Sequence, residues 1–518
     1  MYLINTNLLS GFMRRRITRI PVLFLFFLVL VMPTSCKNDD GPDNPGNSEL
    51  PDEYYVGGKL GTTTVNNIST AYEQPTPAID QAGMGLTFMI GESYVEKSFN
   101  TNTSGKFFGL GPVYERGSCI ICHPGYGHSK RTEKINSKEY GSGYHLRMID
   151  KDTEEFVPEM THAVLTHAVA PFLPPVDEKG IKIDWKEHTD EFGNKFPDGE
   201  TYSLIYPEVT IDPAYINTDP KPANYVVKIQ SSLPLYGTGL IDAIPTDSIL
   251  AEYQRQKARG RRMNDAIYDP ANYHTALDGT KHPGRFSYNL SFAPLQGNSG
   301  ATFLWGSLGI TNPHFRHNDI SEAYARAMSR NKDVQEALGK DEEAVYAELM
   351  RNDLPIEMDA DEYASVMIWQ RGLAVPAARN LDDPEVQKGK KAFYSIGCTS
   401  CHRPSWTTGP DEYKGDPLVT DKLPRYPYQK IWPYSDLMHH RLEMVNDIHT
   451  GWCRTSPLWG RGLSQLCSGN GDHLHDMRAR NYTEAIMWHG GDAKFAKDKF
   501  RDLSKEDRDA LVKFLESI

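Results

Sequence analysis

Apolar residues recur at helical spacing most clearly towards the C-terminal end of the chain. Val386, Gly389 and Phe393 fall on one helical face, with Asp383 as N-cap, Pro384 at the first helical position and Gly397 as the stop. Leu511, Phe514, Leu515 and Ile518 share a face behind Ser504, which forms a variant capping box with Asp507. The spacing also predicts helices over 320–338 and 341–351, where Ala, Glu, Met and Leu dominate. Strand-like pieces such as 225–229 are short and scattered. The pattern divides the chain into an apolar leader (1–36), a polar tether and extension (37–79), a loop-rich body (80–380) and a small helical domain (381–518).

At 518 residues the chain is long enough for two or three domains with substantial cores. Its net charge of −12 argues against a nucleic-acid partner and against a polybasic membrane patch. The 34 prolines and 42 glycines add many loops, so the fold expected is mainly α with long loops. In the leader, Arg14, Arg15, Arg16 and Arg19 precede an apolar run over 20–32 that is too short to span a membrane as a mature helix. Pro33-Thr34-Ser35-Cys36 resembles the lipobox of bacterial lipoproteins, with proline where leucine is usual. Cleavage before Cys36 and lipidation of its thiol would place the protein in the periplasm or on the outer membrane. A plain signal peptide is the alternative, Met13 is an alternative start, and either leader exports the chain.

Two pentapeptides carry the chemistry. Cys119-Ile120-Ile121-Cys122-His123 and Cys398-Thr399-Ser400-Cys401-His402 use four of the seven cysteines. Thiols three apart can each form a thioether to a haem vinyl group, and the adjacent imidazole is then held under the ring as an iron ligand. A zinc half-site would need further ligand pairs at matching spacing, and a redox Cys-x-x-Cys is the other alternative. The opposite face of each iron decides between electron transfer and small-molecule binding. His489 stands at the end of a helical run closed by Gly490 and Gly491, glycines that let the chain turn over a flat ring. Met477 and Met487 are its rivals, while His162 and His167 are candidates for the first iron. Cys453 and Cys467 could close a loop of about fifteen residues as a disulfide, worth roughly 3 kcal/mol.

Collinear stretches from about 85 to the terminus are similar to the dihaem oxidoreductase ("thiol oxidoreductase") family, which is related to bacterial dihaem cytochrome c peroxidases and MauG-type enzymes. They include Gly109-Leu110-Gly111-Pro112, Gly237-Thr238-Gly239-Leu240-Ile241-Asp242, Gly284-Arg285-Phe286 and Leu308-Gly309-Ile310-Thr311-Asn312-Pro313. Further on come Tyr434-Ser435-Asp436-Leu437, Arg454-Thr455-Ser456-Pro457-Leu458-Trp459-Gly460 and Glu484-Ala485-Ile486-Met487-Trp488-His489. The resemblance implies two cytochrome c-like haem domains, the N-terminal one elaborated with short strands. It also implies two covalently bound haem c groups, with Ca2+ between the haem domains as a further candidate. A small electron donor or acceptor protein is the partner expected. Where relatives carry methionine or tyrosine, this chain has His489, so the resemblance implies a second haem held by His402 and His489. Tyr288 stands where a tryptophan usually lies between the haems. Ser299 and Ser307 occupy the places of the glutamine and acid over the peroxide-binding face. Neither serine titrates usefully near neutral pH, so weak peroxide turnover is expected. The sequence leaves two readings: a peroxidase-like dihaem enzyme, or a pure electron carrier with both irons six-coordinate.

Overall fold

Asp359 and Glu362 close a reciprocal capping box that starts the helix Ala360–Gly372, and every residue from 363 to 372 is buried. A helix without a polar face belongs inside a core, and this one runs through the largest apolar cluster of the protein. It lies close against the helix Gly85–Val95, where a Cβ at Gly91 would come 2.1 Å from the Ser365 carbonyl oxygen. The computed structural model describes residues 52–99, 110–136, 138–160, 163–296, 303–448 and 450–518. The leader, Cys36 and residues 37–51 therefore lie outside the described residues, as do His162 and Ser299.

The buried helix carries Arg371 into the core, where it meets Asp242 at 2.7 Å and also pairs with Asp411. Removing one partner of a buried ion pair leaves uncompensated charge, which typically costs about 3–5 kcal/mol. Arg371→Met should therefore lose about 3–5 kcal/mol of unfolding free energy, measured by urea titration. Wild-type stability in that variant would show that the two carboxylates find other partners.

Two antiparallel ladders form a separate apolar cluster. Tyr144–Asp150 pairs with Tyr225–Ser231, and Ile181–His188 pairs with Leu204–Ile211. Leu146, Met148, Ile183, Ile211, Val227 and Ile229 fill the space between them. These strands are longer than the scattered pieces expected, although the alternation of Ile181 and Ile183 with Lys182 and Asp184 was there to be read. The single helix expected over 320–338 is two, Glu322–Arg330 and Lys332–Leu338. Asn331 breaks it because its side chain accepts from the backbone N–H groups of Asp333 and Val334, capping the second helix.

The C-terminal helices follow the predicted grammar. Asp383 caps Pro384–Ser395, and Ser504 caps Lys505–Ser517. They cross at Gly389, where a Cβ would lie 1.8 Å from the Ala510 carbonyl oxygen. Residues 52–76 pack against this part of the chain. Thr62–Thr63 pairs in parallel with Val375–Pro376, the Trp432 N–H donates to the Val56 carbonyl at 2.7 Å, and the Tyr72 hydroxyl donates to the Gly460 carbonyl at 2.6 Å. Among the described residues, no helix is long and apolar enough to cross a membrane.

Candidate functional site

Gly397, at φ 95°, ends its helix and turns the chain into Cys398–Ser400, so that both thiols and His402 face one cavity. The His402 Nδ1 donates to the Tyr434 carbonyl at 3.0 Å. Tyr434 itself is in the left-handed region, at φ 49°. The next residues complete the belt: the Asp436 N–H donates to the Cys401 carbonyl at 2.7 Å, and Trp406 Nε1 donates to the Ser435 carbonyl at 2.8 Å. On the other side, His489 follows the helix Tyr482–Met487 and donates from Nδ1 to the Ala485 carbonyl at 2.7 Å. A carbonyl only accepts, so each Nδ1 carries the proton and each Nε2 is left with a free lone pair, the arrangement of metal-binding histidines. Burial pushes His402 down to about 4 and lowers His489, which keeps both imidazoles neutral.

The two rings face each other across the cavity with centroids 6.4 Å apart. Two metal–nitrogen bonds of about 2 Å, with roughly 1 Å from each nitrogen to its ring centre, come to about 6 Å. One iron fits between them. The cavity measures about 220 Å³, and its walls are largely apolar, including Ile241, Phe393, Trp459, Leu511 and Leu515. Met477 and Met487 are buried but do not line it.

His123 lines a second cavity, and with Cys119 and Cys122 it also lines a third that shares Glu115, His145, Ser307 and Gln370 with the second. Cys119–Cys122 forms one helical turn, and the His123 Nδ1 donates to the Gly127 carbonyl at 3.2 Å. Burial lowers His123 to about 4 and raises the Cys119 and Cys122 thiols to about 11 and about 12. Cys398 is likewise raised to about 12 by burial. Redox Cys-x-x-Cys pairs need the opposite, a thiol pKa lowered by positive charge. Gly143 lies so close behind Cys122 that a Cβ there would come 2.1 Å from its sulfur. Among the described residues, no second imidazole pairs with His123 as His489 pairs with His402. The walls of the second cavity, apolar at Leu233, Phe286 and Leu295, also carry Glu115, His145, Arg147, Ser307 and Gln370.

A family model described as "di-haem oxidoreductase, putative peroxidase" matches residues 221–518. The chain belongs to the di-haem oxidoreductase family. The match takes in the His402 cavity, Tyr288 and Ser307, while Cys119–Cys122 and His123 precede it. No curated protein matches the chain. In this di-haem oxidoreductase, Tyr288 forms part of the wall of both cavities. Its hydroxyl lies 3.2 Å from the Ser231 hydroxyl, its carbonyl accepts from the Arg454 N–H at 2.8 Å, and burial raises its phenol to about 12. Arg454 lines both cavities too, with Nη1 donating to the Arg285 carbonyl at 2.8 Å and Nε without a partner.

Two expectations change for this di-haem oxidoreductase. Cys453 and Cys467 are free rather than joined. Gly460, at φ 72°, turns the intervening chain, so that Cys453 lines the His402 cavity while Cys467 packs beside Ile68 and Gly125. His167 does not reach the His123 cavity. Its Nδ1 donates to the Glu115 carbonyl at 2.9 Å and its Nε2 lies 3.1 Å from a Glu178 carboxylate oxygen. Ser307 lines that cavity. Glu115, His145 and Arg147 were not singled out from the sequence. The available signal was the i, i+2 spacing of His145 and Arg147 beside the buried Leu146. One grouping of possible metal ligands occurs among the described residues, Cys401, Asp436 and His440. Its sulfur and imidazole differ from the oxygen set that Ca2+ takes.

Proposed function

We propose that this chain is an exported c-type di-haem oxidoreductase that reduces a peroxide-class substrate at the His123 site. The observation that carries this reading is the difference between the two cavities. One offers a pair of imidazoles with ring centres 6.4 Å apart; in the other, among the described residues, no ring is paired with His123 in that way, and Glu115, His145 and Arg147 line the cavity beside it. Haem, when bound through Cys119, Cys122 and His123 and through Cys398, Cys401, His402 and His489, supplies the redox-active iron. The chain's own part is to hold neutral Nε2 atoms towards each ring, and to keep Tyr288 and Arg454 in the wall between the sites. A six-coordinate second site changes its ligands little on reduction, which suits it to receiving electrons from a small donor protein. The segment ending in Cys36 supports a lipid anchor on the periplasmic or outer-membrane side.

The electron paramagnetic resonance spectrum of the oxidised protein tests this reading. One low-spin and one high-spin ferric centre are expected. Two low-spin centres would instead favour a pure electron carrier, the reading suggested by Ser307 in place of an acid.

A further inference from the structure

We propose that His145, oriented by Glu115 and accompanied by Arg147, is the proton-transfer group of the His123 site. This rests on the reading that the first iron has an open face. His145 and Arg147 stand two apart on the strand Tyr144–Asp150, so their side chains leave the same face. The other face carries Tyr144, Leu146 and Met148 into the strand core. That alternation sends the imidazole and the guanidinium into the cavity that His123 lines.

Glu115 stands against the imidazole as an ion-pair partner. Its carboxylate lies 2.9 Å from His145 Nδ1, with 4% of the acid side chain and 21% of the histidine side chain exposed. Burial alone would raise the Glu115 carboxyl, but His145, then Arg116 and Arg147, more than offset it, so the carboxyl sits below its ordinary range. An ionised acid at Nδ1 holds the proton there and leaves Nε2 as the basic atom. Among the described residues, Nε2 of His145 has no hydrogen-bond partner. Arg147 is placed for the complementary task, since its Nε and Nη1 are buried without partners. Two unsatisfied guanidinium donors in a water-poor pocket are suited to an oxygen that gains negative charge. Arg116 also faces Glu115, and Asp319 stands near it, pushed up to about 7 mainly by burial.

In the step proposed, which haem held by Cys119, Cys122 and His123 would make possible, hydrogen peroxide would enter this cavity with one oxygen on the His123 side. His145 Nε2 takes the proton from that oxygen and returns it to the far one. The O–O bond breaks with both electrons moving to the far oxygen, which Arg147 stabilises and which departs as water. Two electrons from the haem pair, restored by the donor protein, and two protons from solvent complete the conversion of the near oxygen to a second water. This supplies the base and the polar group that Ser299 and Ser307 do not provide.

The test uses the haem-loaded full chain and reads fluoride binding to the high-spin ferric centre by absorption, alongside peroxide reduction. Fluoride taken up together with a proton, which His145 Nε2 would accept, would be held by charge-assisted hydrogen bonds from His145 and Arg147. His145→Ala should weaken it by about ten- to a hundredfold, the worth of one such bond. It should also slow peroxide reduction by about 10²–10⁴-fold. Arg147→Met and Glu115→Gln should weaken both as well, and they carry the test if His145→Ala fails to load haem. A wild-type high-spin centre with fluoride affinity unchanged in all three variants would overturn the proposal and leave the open site standing. A low-spin first centre that turns high-spin in His145→Ala would overturn it by making His145 an iron ligand. A first centre that is low-spin in wild type and variants alike would overturn both this proposal and the open-site reading.

Discussion

Exchanging His489 for glycine is expected to turn the second haem from a low-spin to a high-spin centre without detaching it. The reason is geometric. The imidazole of His489 stands 6.4 Å, centre to centre, from that of His402; His440, His473 and His475 also line the cavity, but among the described residues none of them is paired ring to ring with His402 as His489 is. The helix Tyr482–Met487 ends before it, so the exchange removes a ligand rather than a structural support. Haem content should stay at the wild-type value, because Cys398, Cys401 and His402 are untouched. Exogenous imidazole should restore the low-spin spectrum by entering the vacated space. Absorption and electron paramagnetic resonance spectra at matched haem content read both results. A low-spin spectrum that survives the exchange would mean that another side chain moves in, and the bis-histidine assignment would fail.

The second large effect is expected from Cys398→Ala combined with Cys401→Ala. Loss of both thioethers should leave one covalently bound haem per chain, read by mass and by haem staining on a denaturing gel. Two haems retained there would count decisively against the assignment. Stability should fall as well, since the His402 cavity is lined by Phe393, Leu511, Leu515 and other core residues. An empty cavity of about 220 Å³ costs roughly 5 kcal/mol at about 24 cal/mol per Å³. The C-terminal helices are then expected to melt first, which thermal unfolding followed by circular dichroism would record.

The elements that the sequence made legible are those whose determinants are local. Asp383 and Ser504 cap their helices where expected because a cap is a contact over two or three residues. Gly389 was legible as a crossing point because the faces on both sides of it were periodic. The two Cys-x-x-Cys-His pentapeptides stood out because thioether attachment of a haem would dictate such spacing. What escaped notice depends on long-range pairing. Glu115 meets His145 across thirty positions of chain and lies on no recognisable motif. The ladder between Tyr144–Asp150 and Tyr225–Ser231 is fixed by partners far away in sequence. Cys453 and Cys467 show the converse error, since proximity in sequence suggested a bond and both are free.

The packing of residues 52–76 described above joins parts of the chain that are far apart in sequence. Residues 52–76 pack behind the belt that holds His402, and Glu53 accepts a hydrogen bond from the Tyr434 hydroxyl across 381 positions of sequence. Closing so long a loop adds little to the free-energy cost, because that cost grows only logarithmically with length. It weighs far more on the rate, since distant pairings slow folding. The back of the His402 cavity is thus closed by pairings between the two ends of the described chain, and those distant pairings are expected to slow folding of the whole.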